Sequence, residues 1–582
     1  MISCSCIPWN RFFCLALLFP LMSISLTASS FGTQSAGTQN AGTTEPAQPA
    51  ATKIDPHTIP LPDKLPQSTK DRTNAERDAK IASGEMTVAS EPPRGWIDAV
   101  DGMFGEYLVK PMAAVLFFDF GTKTALGVSI PFVVVWLLCA GVFLTLRMGF
   151  INLRGFWHAI ELVRGKYDDK DHQGDVSHFQ ALSSALSGTV GLGNIAGVAI
   201  AIGVGGPGAT FWMIVSGFLG MTSKFSECTL AIMYRRKDEQ GLVLGGPMVY
   251  LREGLGKMGL GWLGSVLAVV FTFLCIGGSF GGGNSYQVAQ SLNALKTEPA
   301  FAFLEDYPWV YGLLMTVLVG VVIIGGIKSI GNFAGAVVPF MCLAYMSVCI
   351  AILCMNYQRL PLAVQEIVTG AFNPSAMYGG FLGVMVIGIK RAVFSNEAGA
   401  GSAAIAHSAA KTDQPISEGM VALLEPFIDT VLVCTLTALT IVCTGVYRQP
   451  EVQQLAVDSK GSMVTLAAFT QNASYDWFRY VLYLAVFLFA YSTCVSWSYY
   501  GERCFVSLFG QKWSMLYKMM FLGFTFLGSI VTPENILDFS DMLILAMSVP
   551  NLIGVFLMSG MIRKELDKYW LEYKSGAMEP EK

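Results

Sequence analysis

Charge is scarce in this sequence: Asp, Glu, Lys and Arg make up 14% of its 582 residues, against about 25% in a typical soluble domain. Its 13 cysteines are scattered without a CxxC pair and its five histidines are dispersed, so it offers no disulfide framework and no paired metal ligands. It also has no phosphate-binding loop and no basic run. These absences argue against a nucleotide- or metal-dependent enzyme and against a nucleic-acid-binding protein.

Hydrophobic residues are abundant instead, at 53% of the sequence, and many of them form runs of about 20 residues, the length at which an apolar helix spans a bilayer. These runs predict an all-α polytopic membrane protein with about 11 transmembrane helices. The predicted spans are residues 127–146, 179–204, 208–233, 263–292, 309–327, 333–354, 378–409, 416–446, 478–500, 515–531 and 537–559.

The chain divides into four predicted regions. Residues 1–30 combine a basic residue, a short apolar stretch and a small-residue end, which is typical of a signal peptide; a first membrane helix is the alternative interpretation. Residues 31–92 have too few large apolar side chains to bury a core, and we predict a disordered extracytoplasmic tail. The membrane domain covers residues 93–565, and a cytoplasmic tail covers residues 566–582.

Basic residues mark one side of the predicted spans. Arg147, Arg235, Lys411 and Arg503 lie at the ends of the first, third, seventh and ninth spans, and basic flanks are typical of the cytoplasmic side. These flanks agree with one alternating path through the membrane. We therefore expect a multi-pass protein of a bacterial-type inner (plasma) membrane, with its N-terminus outside the cytoplasm and its C-terminus inside.

Two of the spans are too rich in glycine for plain transmembrane helices. Residues 187–198 of the second span hold four glycines and Asn194, and residues 394–402 of the seventh span hold Asn396 and a Gly-Ala-Gly sequence. Each glycine costs a helix interior about 1 kcal/mol relative to alanine, and backbone groups freed at membrane depth need protein partners or a water-filled cavity. We therefore predict two broken helices.

The positions of the two breaks predict a repeat. Without the first span, the broken helices are the first and sixth of ten and run in opposite directions. This arrangement predicts a five-plus-five inverted repeat plus one extra N-terminal helix, with a binding site at the midplane between the breaks. The alternative for the first break is close helix packing, because Gly193 and Gly197 have the small-xxx-small spacing.

Polar groups near the first break suggest how ligands bind. The amides of residues 191–194 could hold a carboxylate at a helix terminus, and the Thr189 hydroxyl with freed carbonyls could bind sodium. Ser492 and Thr493 of the ninth span could complete that sodium site, and Trp497, on the helix face of Thr493, could wall a small pocket. The alternative is that these hydroxyls bond their own helix backbone.

Charged side chains inside the spans are costly and usually face a pathway or a buried partner. For Lys390 and Arg391 we expect a structural pair with a carboxylate such as Glu397, or a position near the membrane interface, rather than direct contact with substrate. Ser395 and Asn396 offer neutral polar groups to a substrate ammonium. Lys390 and Arg391 could also pair with carboxylates of the eighth span.

Two further pairs have helical spacing. Lys224 and Glu227 are three residues apart, which predicts a local ion pair. Glu425 and Asp429 share one face of the eighth span, and the sequence leaves open whether they are gate elements, a proton relay or buried partners of Lys390 and Arg391.

Several motifs follow one another in the order found in one known family. They are TVGLGNIAG at 189–197, GGPGA at 205–209, GGPM at 245–248, KRAVFSNEAG at 390–399, IAH at 405–407 and WSYYG at 497–501. In these motifs the chain, over about residues 96–563, resembles the alanine/glycine:cation symporters, also called sodium:alanine symporters. The resemblance implies the five-plus-five fold of the amino acid–polyamine–organocation transporters, and uptake of alanine or glycine with sodium, or sometimes a proton.

The resemblance also implies roles for matching residues. Gly191, Gly193 and Asn194 would hold the substrate carboxylate, and Gln287 would be a polar position in the pocket. Asn396 and Trp497 would form the opposing wall, and Thr493 would lie on the sodium side. Leu192 stands where the family commonly has threonine, and Ala400 where it has a larger apolar residue. Both departures bear on which amino acid is preferred rather than on the reaction.

The sequence thus predicts a secondary active symporter, not an enzyme, that takes up small neutral amino acids by alternating access around a midplane site. Its expected partners are alanine or glycine, the sodium ion as coupling ion, and membrane lipid, without a further cofactor and without nucleic acid. A proton-coupled transporter and an amino-acid sensor with a transporter fold are the alternatives. The sequence leaves the oligomeric state open.

Overall fold

A computed structural model describes residues 121–126, 129–167, 174–237, 243–372, 380–471 and 476–576, with a few isolated positions. These residues belong to one unit, Ala99–Lys582. The predicted signal peptide (1–30) and tail (31–92) lie outside the described residues.

Each of the eleven predicted spans contains helix. In lipid, a helix satisfies the backbone N–H and C=O groups of an isolated apolar segment. In chain order the helices are α1 (Phe132–Arg147), α2 (His178–Thr189), α3 (Val198–Gly205), α4 (Gly208–Met233), α5 (Gly261–Phe280), α6 (Tyr286–Leu295), α7 (Pro308–Ile323), α8 (Gly326–Met355), α9 (Gly380–Asn396), α10 (Ala403–His407), α11 (Pro415–Ala422), α12 (Thr435–Thr444), α13 (Phe478–Phe509), α14 (Ser514–Leu527) and α15 (Pro533–Lys574).

By length and composition, five helices of the described chain could each cross a membrane, and the bent pair α2–α3 makes a sixth. The other segments are shorter, interrupted or more polar: α1 and α7 have 16 residues each, and α4 carries Lys224 and Glu227. Large apolar side chains are exposed on several helices, such as Val321 at 71% and Trp262 at 74%. Such exposure suits a surface that faces lipid rather than water.

The first break lies where the glycines predict it. Helices α2 and α3 meet at an angle of 51°, and a π-helical turn, Gly193–Gly197, joins them. Ser177 caps the start of α2 with a capping box that includes Gln180, so the chain enters this helix at a defined residue.

The second break separates α9 from α10. Glu397, Gly399 and Gly401 have φ values of 55°, 90° and 86°, a left-handed conformation that ends a right-handed helix and is costly for a residue other than glycine. The break falls within the predicted residues 394–402.

Two further interruptions are not predicted by the sequence analysis. A π-helical turn at Gly281–Ser285 joins α5 to α6, and another at Phe427–Cys434 precedes α12. π-Turns inside α-helices are frequent at functional sites, and both of these lie beside the breaks, as their contacts below show.

The helix contacts repeat between the two halves of the chain. When α1 is set aside, α2–α8 form one half and α9–α15 the other. Helix α2 contacts α8, and in the second half α9 correspondingly contacts α15. Helix α5 contacts α15, and α13 correspondingly contacts α8. Helix α7 contacts α13, and α14 correspondingly contacts α5. This correspondence is the five-plus-five repeat, and it places the two broken helices against each other at the centre.

Shorter elements connect the spans and cover their ends. Two short strands, β1 (Arg236–Lys237) and β2 (Val243–Leu244), pair antiparallel between α4 and the next helix. The connecting helices are Ile151–Arg154, Phe156–Val163, Pro247–Lys257, Leu360–Phe372, Pro450–Val457 and Gly461–Thr470. The last helix, α15, continues past residue 566 into the predicted cytoplasmic tail.

Candidate functional site

The two breaks touch at Gly193 and Ser395. A Cβ atom built at Gly193 would lie 3.2 Å from Ser395 Cα, which is tighter than about nine in ten real Cβ contacts. Both residues are buried. Glycine at position 193 therefore lets the backbones of the broken helices approach at their crossing.

Two backbone amides of the first break donate hydrogen bonds to side-chain oxygens. The amide of Gly191 donates to Asn194 Oδ1 and that of Leu192 donates to Gln287 Oε1, each at 2.9 Å. Gln287 Nε2 in turn donates to the Gly282 carbonyl at 2.8 Å. The amides of Gly191 and Leu192, which the sequence predicts to hold a carboxylate, thus donate to carboxamide oxygens of the protein.

Asp429 lies at the same crossing and accepts only from neutral groups. Asn194 Nδ2 donates to its Oδ1 at 2.7 Å, and the hydroxyls of Ser395 and Thr430 donate to its Oδ2 at 2.9 and 2.7 Å. The side chain is fully buried, and none of the ion pairs found among the described residues includes it. A buried carboxylate without a cation is costly, so this cluster is suited to a bound cation.

The three predicted sodium ligands differ in what their hydroxyls contact. Thr189 Oγ1 donates to the Ala185 carbonyl at 3.3 Å, and Ser492 Oγ donates to the Phe489 carbonyl at 3.2 Å. These two hydroxyls therefore bond the backbone of their own helices, as the alternative interpretation expected. Their lone pairs remain available, since a hydroxyl both donates and accepts. Thr493 Oγ1 is buried without a hydrogen-bond partner in the described part of the chain.

Thr493 and Gln287 form the wall opposite Gly191. A Cβ atom at Gly191 would lie 2.5 Å from Thr493 Oγ1 and 3.0 Å from Gln287 Oε1. Helices α6 and α13, which carry these two side chains, therefore pack directly on the first break. Three residues that are distant in sequence meet here because glycine leaves room for two polar side chains.

The predicted residues of the second break contact other groups of the site. Asn396 Nδ2 donates to Thr430 Oγ1, and its Oδ1 accepts from the Ala398 amide, each at 2.9 Å. Trp497 Nε1 donates to Glu397 Oε1 at 2.9 Å, and the Ser402 hydroxyl also bonds Glu397. Asn396 thus stabilises the break next to the Asp429 cluster, and Trp497 covers the break through Glu397.

The structure therefore brings the predicted substrate residues of the first break, α6, α9 and α13 close together around one crossing. It adds Thr430, and it gives Asp429 and Ser395, which the sequence analysis noted, defined hydrogen-bond partners there. The sequence analysis noted Asp429 without assigning it a role; a carboxylate in the middle of an apolar span was the signal that could have found it.

A buried network of charges lies beside the second break. Lys224 Nζ is 2.9 Å from Glu425 Oε1, His407 Nε2 is 3.5 Å from Glu425 Oε2, and His407 Nδ1 is 2.5 Å from Glu418 Oε1. His178 contacts the other oxygen of Glu418. Glu425 is thus a buried ion-pair partner, but of Lys224 and His407 and not of Lys390 and Arg391.

The predicted Lys224–Glu227 pair is wrong. Glu227 Oε1 instead accepts from Asn551 Nδ2 at 2.9 Å, while the lysine amine turns to Glu425 on a neighbouring span. Within a buried bundle, carboxylates on packed helices compete with the local partner, and tertiary geometry decides between them.

The partner expected for Lys390 and Arg391 is also corrected. Both basic groups contact Asp541 of α15, Lys390 Nζ at 2.8 Å, rather than Glu397 or the carboxylates of the eighth span. Asp541 is fully buried. These contacts join α9, the first half of the broken span, to the last helix, and the paired residues Arg391 and Asp541 are 150 positions apart.

Two broken helices that cross inside an inverted repeat, with buried polar groups at their crossing, define a secondary active transporter. The sequence pattern of the sodium:alanine symporter family matches residues 119–582, and the chain belongs to this family. It is therefore a multi-pass membrane protein that couples amino-acid transport to sodium, and not an enzyme. The predicted family and fold class are confirmed.

Three relatives illustrate the family. The chain is 42% identical to the sodium/alanine symporter AgcS of Methanococcus maripaludis, over 75% of this chain and 93% of the relative. It is 34% identical to the putative sodium/proton-dependent alanine carrier protein YrbD of Bacillus subtilis, over 76% and 90%. It is 32% identical to the probable sodium/glutamine symporter GlnT of the same species, over 76% and 88%.

Proposed function

We propose that the protein takes up alanine or glycine together with sodium, by alternating access around the crossing of its two broken helices. The observation that carries this proposal is the juxtaposition of the first break, the orphaned Thr493 hydroxyl and the Asp429 carboxylate. The names of two relatives, which refer to alanine and to sodium, support it.

The substrate carboxylate would bind the amides of Gly191 and Leu192. Each amide now donates to a carboxamide oxygen, of Asn194 or Gln287, and a charged acceptor forms the stronger bond. A substrate with a small side chain suits this part of the crossing, because Gly191 packs so closely against Thr493 that not even a Cβ atom would fit between them. The relative whose name refers to glutamine indicates that pocket size varies within the family.

Sodium would bind between Thr493 and the Asp429 cluster. The predicted ligands Thr189, Ser492 and Thr493 provide hydroxyl oxygens, and Asp429 provides a negative charge in a buried place. A bound sodium ion would balance that charge, and a zwitterionic amino acid would leave the balance unchanged. Moving one charge through 100 mV is worth about 2.3 kcal/mol, which drives uptake of a substrate that is itself neutral.

The test is uptake of labelled alanine, glycine and glutamine into proteoliposomes under sodium, lithium and proton gradients. We expect accumulation of alanine or glycine that collapses without the sodium gradient. Accumulation that follows pH and ignores sodium would favour the proton-coupled alternative. Binding without accumulation would favour a sensor.

A further inference from the structure

A cavity of about 210 Å³ opens at the end of the bundle where the last turns of α13 lie. Its walls include Asp175 before α2, Ile327 of α8, Tyr499 and Arg503 of α13, and Lys518 of α14. A single water needs roughly 10–15 Å³ and drug-sized ligands occupy about 300 Å³ or more. The cavity therefore suits a small organic molecule.

Arg503 in this wall is buried but poorly satisfied. It is 5% exposed, and its Nη2 reaches only Glu502 Oε1 and Gln511 Oε1, each at 3.4 Å. Its Nε is buried without an acceptor in the described part of the chain. A guanidinium has five donors in a rigid fork, so a carboxylate entering the cavity would supply acceptors that the protein does not.

The charges around the cavity point to the ligand's chemistry. Lys518 Nζ lies 3.6 Å from the Glu502 oxygen that Arg503 also contacts, and the Ser514 hydroxyl donates to the same atom. Two cations thus share one carboxylate, which leaves positive charge for an anionic group. Asp175 lines the same cavity and offers an acceptor for an ammonium group, whereas a phosphate would meet two carboxylates.

The cavity is placed between helices that also form the transport site. Arg503 follows Thr493 by ten residues on α13, which is about 15 Å along a helix. Asp175 precedes α2, the first half of the first broken helix, by three residues. Helix α13 therefore reaches both the cavity and the crossing.

We propose that this cavity is a second binding site for a small zwitterionic amino acid, which holds the carboxylate on Arg503 and Lys518 and the ammonium on Asp175. It receives the transported molecule as that molecule leaves the crossing. This inference rests on the proposed function, because it takes the cargo to be an amino acid.

The experiment measures binding of labelled alanine to the purified full-length protein in sodium, with equilibrium dialysis over a wide concentration range. We expect two classes of site in the wild-type protein and one in Arg503→Gln. The control Lys512→Gln removes an exposed lysine that does not line the cavity and should keep both classes. An unchanged binding curve for folded Arg503→Gln overturns the inference.

A second variant covers the case in which Arg503→Gln does not fold. Ile324 is 69% exposed and lines the cavity, so Ile324→Trp fills it without breaking an ion pair. We expect loss of the second class of site and several-fold slower alanine efflux from preloaded proteoliposomes, with sodium half-saturation unchanged.

The outcomes separate the two proposals. One class of site in a wild-type protein that accumulates alanine overturns the second site and leaves the proposed function standing. A wild-type protein that neither binds nor accumulates alanine or glycine overturns both. Competition at the second site by inorganic phosphate or by anionic lipid vesicles, but not by glycine, shows an anion site and overturns the zwitterion site.

Discussion

Asp429 is buried among three neutral donors, Asn194 Nδ2, Ser395 Oγ and Thr430 Oγ1, at distances of 2.7 to 2.9 Å. Hydrogen bonds stabilise such a carboxylate but leave its charge uncompensated, and removing charge from water is costly. At the scale of single residues, this charge and the orphaned Thr493 hydroxyl are the features that distinguish a binding crossing from a packing contact between small residues.

Asp429→Asn should raise the sodium concentration for half-maximal uptake by about tenfold or more, equivalent to about 1.4 kcal/mol. The substitution keeps the size of the side chain and removes the charge that would attract the cation. Alanine uptake measured over a range of sodium concentrations gives this half-maximal concentration. Asp458→Asn is the control, because Asp458 is 38% exposed and beside Lys460; equal effects in both variants would contradict the assignment.

Thr493→Ala should weaken the sodium response several-fold with little effect on stability, because its hydroxyl makes no hydrogen bond within the described residues. Thr493→Ser should retain the response. Thr440→Ala serves as the matched control, since the Thr440 hydroxyl donates to the Leu436 carbonyl of its own helix at 2.8 Å. The same sodium dependence in Thr493→Ala and the wild-type protein would remove Thr493 from the site.

At the scale of elements, glycine decides where the first broken helix can touch the second. The hydropathy pattern and glycine positions predict all eleven helical spans and both breaks, because length, polarity and helix propensity are local properties. They do not predict the π-turns at Gly281–Ser285 and Phe427–Cys434. The second of these lies in an apolar run without glycine, and its conformation depends on neighbours from other helices.

Gly193→Ala should abolish or strongly reduce transport while the protein still reaches the membrane. Its Cβ would lie 3.2 Å from the Ser395 Cα, and a backbone atom cannot rotate away. Gly197→Ala is the matched control in the same turn, because a Cβ there meets nothing within 4 Å; it should transport normally and gain up to about 1 kcal/mol of helix stability. Equal transport by both variants would show that the crossing tolerates a wider gap.

Lys224→Met should lower the thermal stability of the purified protein, because it leaves Glu425 buried with only His407 near it. Breaking a buried pair costs about 3–5 kcal/mol. The double variant Lys224→Met with Glu425→Gln should recover much of the loss, since Glu425 then carries no charge that has lost its lysine. Lys166→Met removes a 45% exposed partner of Glu161 and should change stability by less than about 1 kcal/mol.

At the scale of the whole molecule, the helix contacts repeat between the two halves of the chain, and the proposed alternating access would use this symmetry. Ion pairs hold the second broken span on both sides of its break. Lys390 and Arg391, before the break, contact Asp541. His407, after the break, contacts Glu418. Under the proposed alternating access, one set of these ion pairs would loosen while the other holds.

Deletion of residues 31–90 behind an intact N-terminal segment should leave sodium-driven uptake unchanged. The prediction rests on composition, since these residues carry few large apolar side chains and lie outside the matched family region. Uptake per molecule of protein in the membrane is the measurement. A deletion variant that inserts normally but transports poorly would show that the tail acts on the transporter.

The sequence by itself determined the membrane class, the eleven helical spans, the two breaks and the family, because these follow from hydropathy, glycine content and motifs that are read along the chain. Only the tertiary structure decided the partners: Lys224 with Glu425, Arg391 with Asp541, and Asp429 with neutral donors. A buried charge bonds to whichever group the packing brings within reach, and residues about 200 positions away in sequence are as available as the next turn of the same helix.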